Sequence, residues 1–181
     1  MPKDWGVMRL RDIATLASNK RIYLSEYTKS GIPFYRGKEI SELKNNQLIM
    51  DLLYISNQKY EDIQKKYGVS RQGNLLITAV GTLGNIFRVK DDTKFYFKDG
   101  NLIWLKLIKA CPEFFEYLLE YNKNKLLKSS IGSTQKALTI VALNKINFGL
   151  PEIKSEQQKI AGVLTTWDRV IDQQTALIQQ K

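Results

Sequence analysis

Residues 155–181, SEQQKIAGVLTTWDRVIDQQTALIQQK, decide how this chain is organised. Apolar residues recur at Ile160, Val163, Leu164, Trp167, Val170, Ile171, Leu177 and Ile178. That spacing of roughly three and four lays one stripe down a helix. Gln174 interrupts the stripe at a seam position, a device for setting register. Ser155 followed by Gln158 fits a capping box, and Pro151 lies just upstream. At 1.5 Å per residue the segment is about 40 Å long. Nothing else in the chain predicts a helix of that length. The stripe therefore wants a partner helix from another chain or from a missing part of this one.

Charge separates this helix from what precedes it. The 181 residues hold 28 Lys and Arg against 18 Asp and Glu, a net +10. Within residues 155–181, Lys159, Arg169 and Lys181 balance Glu156, Asp168 and Asp172, so the whole excess lies on residues 1–154. The sequence thus predicts a basic globular domain over 1–154 and a neutral spacer or dimerisation helix over 155–181. A basic domain attracts polyanions, above all nucleic acid. Histidine is absent and Cys111 is the one cysteine, which excludes Ser-His-Asp and Cys-His catalysis and the usual Cys/His zinc sites within this chain. No apolar run approaches the ~20 residues of a membrane span, no signal pattern opens the chain, and a lone cysteine suits a reducing cytoplasm.

Residues 1–154 read as mixed α/β, which with the long helix gives an α+β chain. Expected strands are 32–35, 75–79, 85–90, 94–97 and 102–108, short runs rich in β-branched and aromatic residues and bounded mostly by Gly, Asn or Asp. Gly73-Asn74-Leu75-Leu76-Ile77 and Gly100-Asn101-Leu102-Ile103-Trp104 are near-copies, each a turn feeding a buried strand. Expected helices are 57–67 and 112–128. The second has Pro112 near its start and Lys123, Lys125 and Lys128 near its end, as the helix dipole prefers. Irregular stretches are expected around 17–31, 36–47, 68–73, 80–84 and 129–137, and many loops on a basic scaffold suit recognition.

Gly31 to Glu39 is no P-loop: the spacing between glycines is five rather than four, Glu39 replaces the hydroxyl, and Pro33 removes a backbone donor. What remains is a strand running into a loop with Arg36 and Lys38, suited to a phosphate or a guanine. Gly81-Thr82-Leu83-Gly84 joins two strands and reads as a hairpin turn rather than a KH loop. Gly132-Ser133-Thr134-Gln135-Lys136 is a polar loop in which hydroxyls and a lysine suit phosphates and Gln135 can read adenine, although a turn and helix cap would use the same residues. The E-x-K triplets at Glu42-Lys44 and Glu152-Lys154 follow no acidic residue at a strand end, so a nuclease metal site is unsupported. Trp104 lies in an apolar strand and is expected in the core.

Taken together, these stretches resemble the specificity subunits of type I restriction-modification enzymes. Pro2-Lys3-Asp4-Trp5 through Leu10-Arg11-Asp12-Ile13 resembles the opening of that family's target recognition domain. Gly31-Ile32-Pro33-Phe34-Tyr35-Arg36-Gly37-Lys38-Glu39-Ile40 resembles its G-I-P-F-x-R-G-x-x-I segment. Gly73 to Thr78 resembles its G-D-[IL]-L strand with Asn74 for Asp, and Gly81 to Gly84 follows as expected. Gly132 to Gln135 resembles its G-[ST]-T-Q loop. Ile146 to Leu164 resembles the start of its shared helix, with Glu152 in place of a second proline, and Asp168 and Ile171 continue it with Trp167 for Leu.

The resemblance implies a non-catalytic subunit that grips duplex DNA and reads one short half of a two-part target. Its helix would act as a ruler between recognition domains and as a dock for adenine methyltransferase subunits. S-adenosylmethionine, ATP and Mg²⁺ would belong to the methyltransferase and restriction (translocase) partners, not to this chain. The expected DNA contacts are Arg36, Lys38, Arg71, Thr82, Ser133, Thr134, Gln135 and Lys136. Family members usually carry two recognition domains and two helices; this chain has one of each, as a natural half-length subunit, a fragment, or one half of a longer chain would. Two copies pairing through Ile160, Leu164, Trp167, Ile171 and Ile178 would give a two-fold symmetric DNA reader. An RNA-binding or ribonucleoprotein module with a dimerising helix is the alternative, recognisable by a preference for single strands or A-form RNA.

Overall fold

A computed structural model describes residues 5–45 and 47–179; Pro2, Lys3 and Asp4 of the opening motif and residues 180–181 of the expected 155–181 helix lie outside them. The chain begins with β1 (Trp5–Arg9), α1 (Leu10–Ile13) and β2 (Thr15–Ala17), then a 3₁₀ turn at Leu24–Glu26, β3 (Tyr27–Thr28) and β4 (Ile32–Tyr35). It continues through α2 (Gly37–Lys44), β5 (Leu53–Ile55), α3 (Asn57–Tyr67), β6 (Leu75–Thr78), β7 (Ile86–Arg88), β8 (Tyr96–Phe97) and β9 (Leu102–Lys106). It closes with α4 (Pro112–Tyr121), α5 (Lys123–Lys128), α6 (Ile140–Leu143), β10 (Asn147–Pro151) and α7 (Lys154–Gln179).

The uninterrupted apolar runs at 75–77 and 102–105 make the middle of the fold. A strand that is apolar on both sides must be covered on both faces. β6 and β9 pair antiparallel, Leu76 opposite Trp104 and Ile77 opposite Ile103, at the centre of a four-stranded sheet of order β2-β9-β6-β7. Side chains alternate across it. Leu75, Ile77, Ile103 and Leu105 meet Phe114, Phe115, Leu118 and Leu119 of α4. Leu76, Leu102 and Trp104 meet Ile40 of α2, Val89, Phe95 and Phe97. Trp104 is a core residue, and its indole N–H donates to Asn74 Oδ1 at 2.8 Å. A second sheet, β3-β5-β4-β8, carries a parallel pair at β4 and β8 and its own apolar cluster around Phe34, Ile55, Tyr60 and Tyr96.

β1 pairs antiparallel with β10, Trp5 opposite Pro151 through Arg9 opposite Asn147, so the chain's opening is stitched to the segment just before α7. The root of α7 belongs to the globular core. Gln157 is buried; its Oε1 accepts from Cys111 N and its Nε2 donates to Pro151 O, both at 2.7 Å. Ala161 is buried beside it. Two turns further, Tyr117 Oη lies 2.7 Å from Asp168 Oδ2. Every described side chain of α7 beyond Ala161 is exposed, including Val163, Trp167, Ile171 and Ile178.

Four details differ from the sequence reading. The expected helix 112–128 is two helices, because the backbone breaks at Asn122, whose amide nitrogen Nδ2 donates to Leu118 O. Residues 37–44, expected as loop, are α2: Glu39 in the first turn accepts from Arg36 N at 2.6 Å and so caps the helix start. The 75–79, 85–90, 94–97 and 102–108 strands are shorter, at 75–78, 86–88, 96–97 and 102–106. α7 starts at Lys154, which puts Ser155 inside the first turn, and the residue that ties the helix start is Gln157 rather than the expected Ser155–Gln158 box.

Candidate nucleic-acid interface

The end of β6 gathers three expected segments. β6 runs into the 79–85 turn, where Gly81 (φ +79°) and Gly84 (φ +74°) take left-handed backbone and Gly84 N donates to Thr78 O at 2.8 Å. Thr82 is exposed at the tip. Two backbone hydrogen bonds then anchor neighbouring loops to Ala79. Its N–H donates to Asn101 O at 2.7 Å, and its carbonyl accepts from Leu138 N at 2.9 Å. The second bond brings up the 132–136 loop. That loop is closed by reciprocal bonds between Ile131 and Ala137 at 2.9 and 2.8 Å, so Ser133, Thr134, Gln135 and Lys136 all project into solvent. Gly132 makes the closure possible: at φ +107°, a Cβ there would sit 2.3 Å from Gln135 O.

The start of α2 is the third component. Gly37 packs against this loop end, with its hypothetical Cβ 3.8 Å from Thr78 Cγ2 and 3.9 Å from Val80 O. A groove of about 470 Å³ runs between α2 and the 79–85 turn, lined by Arg36, Lys38, Ser41, Gln47, Thr82 and Asn101. Residues far apart in sequence thus form one rim: Arg36 and Lys38 on one side, Thr82 on the other, and 133–136 alongside through Ala79. Helix N-termini, hydroxyls and lysines are the groups that hold phosphates.

The rim residues differ in how free they are. Arg36 is not a free cation. Its guanidinium binds the buried Glu39 carboxylate through Nε at 2.9 Å and through Nη2, and Nη2 also reaches Asp51 O at 3.3 Å. Burial opposes ionisation of Glu39, but the Arg36 guanidinium and the backbone N–H groups of the first turn outweigh it and hold its carboxyl below the usual carboxylate range. Arg36 therefore also shapes the start of α2, while the exposed part of its guanidinium lines the groove. Lys38 is exposed and only loosely paired, 3.6 Å from Glu42, a surface pair of about 1 kcal/mol or less. Glu42 Oε2 is buried in the groove wall without a hydrogen-bond partner among the described residues. Lys136 is exposed.

Arg71 does not join the rim. It precedes β6, where Asn74 Oδ1 accepts from its backbone N–H, while Thr82 follows β6. About 13 Å of strand separates the two ends, so Arg71 and Thr82 lie toward opposite ends of β6. Of the expected partner seam, Ile160 packs against the domain's own core, and Leu164 lines a groove with Trp5, Phe114 and Tyr117. Trp167, Ile171 and Ile178 stand clear. The sequence reading missed Gln47 and Asn101, and it passed over Leu48 and Met50, whose apolar character pointed to a core they do not enter. Among the described residues no group of three His, Cys, Asp or Glu side chains could hold a metal ion, and no helix is long and apolar enough to cross a membrane.

Comparison with known proteins places the chain in a family. The type I restriction modification DNA specificity domain matches residues 2–180. A putative type I restriction enzyme specificity subunit of Haemophilus influenzae is 28% identical over 163 residues, covering 90% of this chain and 40% of that protein. The putative MjaX specificity subunit of Methanocaldococcus jannaschii is 27% identical over 179 residues, covering 94% and 41%. In structure, the HsdS subunit from Thermoanaerobacter tengcongensis superposes with a TM-score of 0.69 at 21% identity, covering 99% of this chain and 40% of that one. The type I S subunit from M. genitalium gives 0.66 at 16%, covering 97% and 42%. The chain thus spans about two fifths of the length of these relatives. Matched from Pro2 almost to its last residue, it belongs to the type I restriction modification DNA specificity domain family.

Proposed function

We propose that this chain reads one half of a two-part duplex DNA target and directs adenine methylation and restriction by partner subunits, without catalysing either step. The observation that carries this reading is the convergence of Lys38, Thr82 and the 133–136 loop at one end of β6, on a domain that bears the whole net charge. Lysines and hydroxyls position the phosphates; Gln135, at the exposed loop tip, reads a base edge. α7 carries Trp167, Ile171 and Ile178 outward for a second helix, from another copy or from the other half of a longer chain. S-adenosylmethionine, ATP and Mg²⁺ act on the partner subunits. The family match lends no support to the RNA-binding alternative.

The test is a tagged pull-down from the native host with nuclease present, followed by mapping of methylated adenines. An adenine methyltransferase subunit recovered at fixed stoichiometry is the expected result. Recovery of RNA-associated proteins without a methyltransferase would overturn the reading.

A further inference from the structure

The loop between α2 and β5 carries two large apolar side chains that the fold does not use. Leu48 is 84% exposed and Met50 87%, among the most exposed apolar residues described. Ile49 between them is half-buried. Leu48 and Met50 thus stand in solvent on either side of a half-buried residue. The loop is also tied at both ends to α2. Gln47 N donates to Glu42 O at 2.9 Å, and Arg36 Nη2 donates to Asp51 O at 3.3 Å. Gln47 itself lines the groove that contains Lys38 and Thr82. Two unpartnered apolar tips thus stand on an anchored loop at the edge of the basic rim. Leu and Met are side chains that enter base steps as wedges, where the unstacking is offset by new apolar contact.

We propose that Leu48 and Met50 form an apolar wedge that enters the base stack of the bound duplex at one step beside the half-target. The proposal rests on the DNA-reading function above. Pyrimidine–purine steps unstack most readily, so the wedge confers a preference for such a step without a hydrogen bond to it. It also gives Arg36 its role, since the Arg36–Glu39 and Arg36–Asp51 contacts fix the loop's return to α2.

The experiment uses the full chain, either wild-type or carrying Leu48→Ser and Met50→Ser. Both positions are exposed, so unchanged circular dichroism and melting should confirm that the variant folds. Duplexes enriched by the wild-type chain from a random 30-base-pair pool define the motif, and 2-aminopurine is then placed at each position in turn. With the wild type, fluorescence should rise at one step on binding. With the variant that rise should vanish, and the affinity ratio of enriched to random duplex should fall about tenfold. A rise that persists in the variant, or no rise at any position with the wild type, overturns the wedge while leaving sequence reading intact. Failure of the wild type to enrich any motif overturns the DNA-reading function, and the wedge with it.

Discussion

Glu39 is fully buried, and its carboxylate takes hydrogen bonds from both the backbone and the side chain of Arg36. Removing the carboxylate leaves the partly solvated Arg36 charge without its partner, at a cost of about 1 to 3 kcal/mol. Glu39→Gln should therefore lower unfolding free energy by about that amount at pH 7, measured by urea denaturation. The pH dependence has a definite sign. The Glu39 carboxyl is held below its ordinary value in the folded chain. Its stabilisation is thus complete above the unfolded value near 4.3 and is lost as pH falls through the lower folded value. The gap between wild type and variant should be constant above about pH 6 and shrink below about pH 4; a gap that widens in acid would contradict this role. Gln157 makes a parallel case without charge. Gln157→Ala leaves Cys111 N–H and Pro151 C=O buried and unpaired, which should cost about 3 kcal/mol in the same measurement.

Among the larger elements, the 132–136 loop and α7 separate binding from folding. Gly132→Ala forces a Cβ against Gln135 O in a backbone region that favours glycine. The loop is exposed and lies outside the core, so melting should move by only a few degrees while affinity for duplex DNA drops about tenfold or more. Within the loop, Lys136→Ala should weaken all duplexes alike, whereas Gln135→Ala should relax one position of the motif. Equal losses on enriched and random duplex for both variants would remove the distinction between phosphate and base contact. For α7, Trp167→Asp should abolish pairing of the chain, read as mass by sedimentation equilibrium at micromolar concentration, and leave the domain's melting unchanged, because Trp167 touches nothing in the core. Ile160 is unsuited to that experiment, since its side chain packs on the domain itself.

The whole molecule is a basic domain followed by a long helix without net charge. With the net +10 confined to residues 1–154, affinity for random duplex should fall on the order of 100-fold or more between 50 and 200 mM salt. Reversing α7 residues should leave that slope unchanged, since the helix contributes no net charge. A weak salt dependence would mean that the lysines meet few phosphates. The fold gives the helix a rigid root: β1 pairs with β10, and Gln157 and Ala161 bury the first turns of α7. The helix direction is thus set by the domain, and a rigid direction is what a spacer between recognition domains needs.

The sequence by itself determined the long helix, the two buried central strands, the 57–67 helix, and the turns at Gly81–Gly84 and Gly132–Gln135. Each is written locally, in periodicity, in runs of apolar residues, or in glycines at turn positions. The 37–44 helix escaped because its capping carboxylate, Glu39, and its apolar anchor, Ile40, read as scattered residues until β4 and β6 provide surfaces for them. Site membership was only partly legible for the same reason. Lys38, Thr82 and 133–136 come together because hydrogen bonds to Ala79 and the packing of Gly37 join segments that are distant in sequence. Only the tertiary structure decided that Arg71 lies beyond the other end of β6, that Arg36 is occupied by Glu39, that Ile160 faces inward, and that Leu48 and Met50 face out. Residue type limits what a side chain can do; strand order and long-range register decide which side chains meet, and those depend on the whole core at once.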